Sequence, residues 1–231
     1  MKSLLKKKSC IIFDLADTLI ELDPSPQFII SKFFLEQYST KLEEEEIKRS
    51  LVFLSNIFHY SSVNFKNKLS KKKFYLNFNK HLLDIMGVSH ISSPETIYNH
   101  ISRNQSRWVL KLGVCKLLND LKNANFKIAL LSNFNYQEAI NILSRLEIKD
   151  YFDYLHISEK EGLEKPDIEF YKLFFAKNNI RIEDCLYCGD SYTLDFIPSN
   201  KINLSFLLID ELNLFKQISN RIDTVSKIIN L

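Results

Sequence analysis

The stretch Ser9-Cys10-Ile11-Ile12-Phe13-Asp14-Leu15-Ala16-Asp17-Thr18-Leu19-Ile20 opens the chain's first recognisable element. Its apolar run is rich in β-branched and aromatic residues and too short for a core helix, so it reads as a buried strand. The strand delivers a carboxylate, Asp14, at its C-terminal end, followed by turn-prone and hydroxyl residues. In open parallel sheets, ligands bind at that end of the strands. On this stretch alone, an exposed Asp14 ending an ordinary strand is the better reading. The rest of the chain decides between the two.

From Val114 onward strands and helices alternate. The pattern predicts a helix over Val114 to Asn123, a strand over Phe126 to Asn133 and a helix over Tyr136 to Leu146. It continues with a strand over Tyr154 to Ser158, a helix over Ile168 to Asn178, and strands over Asp184 to Gly189 and Leu204 to Ile209. Such alternation implies βαβ units, and hence a parallel sheet with right-handed crossovers. The segment between the first strand and this region is different. After Asp23-Pro24-Ser25-Pro26, which marks a turn, the pattern from Gln27 to about Asn104 is helical. One helix starts around Phe28, a second runs from Lys41 to about His59 and a third from Ser70 to Met86. The third is stopped by Gly87, and a fourth is opened by Ser93-Pro94-Glu95. Phe33, Phe34, Phe53, Phe58 and Tyr60 are expected in the core of this helical insert. The expected division is a core of residues 1–21 and 107–231 and an insert of residues 22–106. The insert is expected to act as a lid hinged near Asp23-Pro24 and Lys111-Leu112-Gly113.

Composition narrows the function classes. With 231 residues, 45% apolar and 13% aromatic, the chain can bury a full core. A net charge of +3 argues against a nucleic-acid partner, and the short runs Lys6-Lys7-Lys8 and Lys71-Lys72-Lys73 read as solvated faces. No apolar run approaches the length of a membrane span, and Asp14 interrupts the only apolar segment near the basic start, so a cytoplasmic location is expected. Cys185-Leu186-Tyr187-Cys188 has CxxC spacing but lies in a strand, where residues three apart face opposite ways; neither a shared metal nor a bridge is expected.

Four predicted strands now carry polar residues at or just beyond their ends: Asp14, Ser132-Asn133, Lys165 and Gly189-Asp190. In this order and on these elements the sequence resembles the haloacid dehalogenase superfamily of aspartate-nucleophile hydrolases. Phe13-Asp14-Leu15-Ala16-Asp17-Thr18-Leu19 is similar to its first motif, Asp-x-Asp-x-Thr, and Leu130-Leu131-Ser132-Asn133 to its second. Gly162-Leu163-Glu164-Lys165-Pro166-Asp167 and Gly189-Asp190-Ser191-Tyr192-Thr193-Leu194-Asp195 are similar to the third and fourth. The resemblance implies an α/β fold, a Rossmann-like parallel sheet flanked by helices, with the helical insert as a C1-type cap.

The resemblance also implies roles. Asp14 would be the nucleophile and Lys165 the cation that offsets its charge and that of a transferring phosphoryl group. Ser132, the Asn133 amide and Lys165 would hold phosphate oxygens. Asp14, Asp190 and the backbone carbonyl of Ala16 would bind Mg²⁺, a hard cation suited to oxygen ligands. Thr18 and Asp195 would be supporting residues, Thr18 through an orienting hydroxyl and Asp195 through the metal's water or Lys165.

Ala16 departs from the pattern. Family phosphatases carry there an Asp that protonates the leaving group and then activates water, and losing such a group commonly costs about 10²–10⁴ in rate. The sequence is open to three readings: a slow or specialised Mg²⁺-dependent phosphatase of a small phosphorylated molecule; a hydrolase of a carbon–phosphorus or carbon–halogen bond; and a non-catalytic protein that binds a phospholigand. Phosphonate cleavage would need a Schiff-base lysine in the cap, where Lys32, Lys41 and Lys48 are among the candidates. The sequence sets neither the substrate nor the oligomeric state.

Overall fold

The computed structural model of the protein describes residues 4–58 and 68–230. The chain divides into two compact units, one of residues 1–21 and 109–231 and the other of residues 22–108.

The first unit is built on a six-stranded sheet. Strand β1 (Cys10–Phe13) lies near its middle. Strands β4 (Lys127–Ser132) and β5 (Tyr154–Ile157) lie to one side. On the other side lie β6 (Cys185–Gly189), β7 (Ser205–Ile209) and β8 (Arg221–Ile222), giving the order β5-β4-β1-β6-β7-β8 with every pairing parallel. This is the parallel α/β arrangement expected from the alternating pattern. The chain leaves β1 toward neighbours on both sides, so the C-terminal ends of β1, β4 and β6 flank a topological switch point.

Register fixes what those ends present. Phe13 lies opposite Leu130 of β4 and Cys188 of β6, and the Asp14 N–H extends the ladder to the Cys188 carbonyl at 3.0 Å. Asp14 and Gly189-Asp190 therefore leave adjacent strands at the same level. Both faces of the strands are buried, as parallel sheets require. On one face Ile12, Ala129, Leu131 and Tyr187 pack with Phe170, Tyr171 and Phe174 of helix α8 (Ile168–Asn178). Helix α5 (Val114–Asn123) buries Val114, Leu117, Leu118 and Leu121, an i, i+3, i+4, i+7 stripe. Each such aliphatic side chain contributes about 1.5–3 kcal/mol when fully buried. Helix α6 (Tyr136–Arg145) is capped by Asn135, whose side chain accepts from the Glu138 N–H at 2.9 Å. Two short helices, α7 (Ser158–Glu161) and α9 (Ile197–Lys201), complete this unit.

The second unit contains four helices: α1 (Pro26–Tyr38), α2 (Glu44–Ser55), α3 (Lys68–Ile85) and α4 (Pro94–Arg103). Its core gathers Ile30, Phe33, Phe34, Ile47, Leu54, Leu82, Leu83 and Ile97, with Phe58 packed against it. Phe53, expected in that core, is 57% exposed. The buried stripe of α2 runs through Ile47, Leu51 and Leu54, and Phe53 lies one residue off it. Tyr60 and the expected end of the second helix at His59 lie outside the described residues. Strands β2 (Ile20–Asp23) and β3 (Arg107–Leu110) pair in a two-stranded sheet that the sequence pattern does not announce.

Candidate active site

The turn after β1 is tightly determined. The Leu15 carbonyl accepts from the N–H groups of Leu19 and Ile20, at 2.9 and 3.1 Å, and the Asp17 N–H donates to the Ile20 carbonyl at 2.7 Å. Asp17 adopts a left-handed conformation with φ of 59°, which an Asp tolerates better than most residues. The Lys111 ammonium holds the same turn through the Asp17 carbonyl at 2.7 Å and also pairs with Glu211. Among the described residues the Ala16 carbonyl accepts no hydrogen bond. Thr18, fully buried, donates its hydroxyl to Asp190 Oδ1 at 2.9 Å and so ties the turn to the end of β6.

Lys165 reaches the same place from the loop between α7 and α8. Its backbone is clamped by the Asn133 side chain, whose Oδ1 accepts from the Lys165 N–H at 2.8 Å while Nδ2 donates to the Lys165 carbonyl at 2.9 Å. The Asn133 carboxamide is thus committed to positioning Lys165, and a phosphate contact from this residue would fall to its backbone N–H. Ser132 is buried at the end of β4. The Lys165 ammonium donates to Asp14 Oδ1 at 2.6 Å, to Asp195 Oδ1 at 2.7 Å and to the Tyr187 hydroxyl at 3.1 Å. Tyr187 donates in turn to Asp195 Oδ1 at 2.6 Å.

Asp195 lies in a π-helical turn, Tyr192–Phe196, and its second oxygen accepts from the Ser191 N–H at 3.1 Å. It presses so closely on β6 that a Cβ at Gly189 would sit 2.5 Å from Asp195 Oδ2. Only glycine fits there.

Asp14, Asp190 and Asp195 each place a carboxylate oxygen within 4.8 Å of the others. Among the described residues one ammonium, that of Lys165, stands against these three carboxylates, and all four groups are largely removed from water. Burial pushes the Asp14 carboxyl up, Lys165 pulls it down and Asp195 raises it again, leaving it at about 6. Asp190 is pushed well above the usual carboxylate range by burial and by the charges of Asp17, Asp14 and Asp195. Burial alone would lower Lys165, but Asp14 and Asp195 outweigh it and hold its pKa above that of a free lysine. A cluster with this surplus of negative charge suits a hard divalent cation with oxygen ligands. The donor set fits: Asp195 has both oxygens engaged, while Asp14, Asp190 and the Ala16 carbonyl are left to coordinate.

Of the sequence-predicted residues, Asp14, Lys165 and Asp195 thus share one hydrogen-bonded group and Thr18 and Asp190 another, and the carboxylates of Asp14, Asp190 and Asp195 bring the two together, with Asn133 behind Lys165. Tyr187 joins them without any advance sign. In the sequence it is an aromatic residue inside a buried strand, and nothing distinguishes it from core.

The pattern of the family described as haloacid dehalogenase-like hydrolase matches residues 11–209. A glyceraldehyde 3-phosphate phosphatase from Methanocaldococcus jannaschii is 27% identical over 200 residues, covering 84% of this chain and 81% of that protein. A mouse haloacid dehalogenase-like hydrolase domain-containing protein 3 is 20% identical over 205 residues, covering 86% of this chain and 80% of that protein. Among solved structures, a HAD-hydrolase from Bacillus subtilis bound to magnesium superposes with a TM-score of 0.63 at 17% identity, covering 98% of this chain and all of that one. The chain belongs to the haloacid dehalogenase-like hydrolase family.

Proposed function

We propose that this member of the haloacid dehalogenase-like hydrolases is a Mg²⁺-dependent phosphatase acting on a small phosphorylated metabolite, with Asp14 as nucleophile. The observation that carries the reading is the Lys165 ammonium bridging Asp14 and Asp195, at 2.6 and 2.7 Å, beside Asp190 on the next strand. A carboxylate nucleophile needs a neighbouring cation to stay ionised in a buried site and to receive a dianionic phosphoryl group. An Asp14 oxygen would attack phosphorus as the bond to the leaving oxygen breaks, giving an aspartyl phosphate. Water would then attack phosphorus and release inorganic phosphate and the Asp14 carboxylate. Ser132 and the Asn133 N–H would hold the phosphoryl oxygens. Asp14, Asp190 and the Ala16 carbonyl would hold Mg²⁺, which when bound supplies charge neutralisation and orientation for the phosphate.

Ala16 carries no proton donor, so the leaving group and the attacking water lack the acid/base that the family motif supplies, and turnover is slow or confined to particular substrates. Cleavage of a carbon–phosphorus bond through a cap lysine has less support. No lysine of the second unit is buried among the described residues, and Lys32 and Lys41 form exposed ion pairs with Glu36 and Glu43. The named activity of the archaeal relative makes triose phosphates the first substrates to try. The test is phosphate release from a panel of sugar and triose phosphates with and without Mg²⁺. Release that depends on Mg²⁺ supports the reading. Binding of phosphate esters without release from any member of the panel would favour the phospholigand-binding alternative.

A further inference from the structure

The Lys165 ammonium has three hydrogens and no acceptor capacity. Its three partners are Asp14 Oδ1, Asp195 Oδ1 and the Tyr187 hydroxyl, so each hydrogen has its own acceptor. Because the Tyr187 oxygen accepts from Lys165, its single proton is free to go to Asp195 Oδ1, and the two lie 2.6 Å apart. Lys165, Tyr187 and Asp195 therefore close a triangle in which every donor is used once. The ring that carries the hydroxyl is itself fixed. Tyr187 is fully buried, with Phe206 edge-on at 5.4 Å and Tyr171 at 6.1 Å between ring centroids. A rigid ring loses little entropy in making these bonds, so the hydroxyl holds its place without cost to the rest of the site.

We infer that Tyr187 is a positioning residue for the reaction: its hydroxyl fixes the rotation of the Lys165 ammonium, and thereby the hydrogen that Lys165 directs at Asp14. The inference rests on the reading of Asp14 and Lys165 as reacting groups. Without the hydroxyl, one buried ammonium hydrogen has no acceptor, and an unpaired buried donor next to a charge is costly. The ammonium would then turn among its remaining acceptors, and the bond to Asp14 would be made only part of the time.

The test is Tyr187→Phe, which removes one oxygen and keeps the ring. Two readouts are required. The first is exchange of the Lys165 ammonium protons with water, measured by NMR on protein labelled with ¹⁵N-lysine. In the wild type these protons should exchange at least about tenfold more slowly than those of Lys172, an exposed lysine paired with Glu169 at 2.8 Å. In Tyr187→Phe the Lys165 protons should exchange about tenfold faster than in the wild type. The second readout is turnover, where kcat should fall roughly tenfold, as for loss of one hydrogen bond to a charged group, with KM within about twofold. Leu121→Ala in α5, a fully buried residue that the Tyr187 arrangement does not use, is the packing control: it should lower the melting temperature while leaving ammonium exchange and kcat in place.

The inference is overturned if wild-type Lys165 exchanges as fast as Lys172, a comparison that needs no variant to fold. It is equally overturned if Tyr187→Phe leaves exchange or kcat unchanged. If exchange responds as expected while neither protein hydrolyses any phosphate ester, the hydroxyl's hold on Lys165 stands and the phosphatase reading fails on its own.

Discussion

Replacing Asp190 by Asn should stabilise the protein in the absence of metal and abolish most of its stabilisation by Mg²⁺. Carboxylate oxygens of Asp190 and Asp14 lie within 4.8 Å of each other. Two unit charges at that separation, with an effective dielectric constant of about 20, repel by roughly 3.5 kcal/mol. Burial and the charges of Asp17, Asp14 and Asp195 push the Asp190 carboxyl up, so taking up a proton would relieve part of this repulsion. The net gain on neutralising the residue is therefore about 1–3 kcal/mol. Asn retains an oxygen to accept the Thr18 hydroxyl, so the tie at 2.9 Å survives. The assay is thermal unfolding in EDTA and in Mg²⁺. At about 2–4 °C per kcal/mol for a chain of this size, the variant should melt roughly 2–12 °C above the wild type in EDTA. With Mg²⁺ at about 100 times its dissociation constant, the wild type should gain about 2.7 kcal/mol and the variant far less. A variant that is less stable than the wild type in EDTA, or that responds to Mg²⁺ equally, would refute the electrostatic reasoning.

Lys165→Met removes the ammonium that bridges Asp14 and Asp195. It should destabilise the fold by about 3–5 kcal/mol in urea unfolding, because a broken buried pair leaves uncompensated charge. Asp153 ties the start of β4 to α5 through the Lys122 and Lys127 ammonium groups, at 2.6 and 3.0 Å, and the Ile128 N–H at 2.9 Å. Burial would raise its pKa, but the bonds from Lys122, Ile128 and Lys127 outweigh it and bring it from 3.8 to about 2. A carboxyl depressed in the folded state stabilises above its unfolded pKa, and that contribution is lost as pH falls from about 4 toward 2. Discounted for solvent screening, it is worth about 1–2 kcal/mol. Asp153→Asn should therefore cost that much at pH 6 and progressively less below pH 4 in urea titrations. Ala16→Asp should raise turnover of alkyl phosphates by at least about tenfold and of activated aryl phosphates less, because only poor leaving groups need a proton in the transition state. No gain on either, with fold and Mg²⁺ binding intact, would count against a phosphatase.

The parts legible in the sequence are those with a local signal. Helices α5 and α8 run as the apolar period and their flanking residues indicate, Val114 to Asn123 and Ile168 to Asn178. Asp14, Lys165 and Asp190 are legible because each follows a strand end in a fixed order, and parallel strands bring such ends together, whereas Asp195 alone reads as a helix cap and is legible only through the resemblance to the family's fourth motif. Strand β2 is hidden because four residues beside an Asp-Pro carry little periodicity, and its partner β3 lies more than eighty positions away in the chain. Strand β8, two residues long, has no periodicity at all. Tyr187 is hidden for a different reason. Its hydroxyl acquires a role only from Lys165 and Asp195, which arrive from other elements, and a tyrosine in a buried strand otherwise reads as core. Asn133 is legible as a site residue, but its side chain faces the Lys165 backbone, a pairing across 32 positions that no local rule reveals.

The central claim is that Asp14 attacks phosphorus, and it is tested by acid-quenching the protein during turnover of a phosphate ester with Mg²⁺ and mapping phosphoryl adducts by mass spectrometry. The expected result is a Mg²⁺-dependent, acid-stable and hydroxylamine-labile phosphoryl group on the peptide that contains Asp14, absent from Asp14→Asn, whose phosphate release should fall by at least about a thousandfold. Unchanged phosphate release by a folded Asp14→Asn would contradict it.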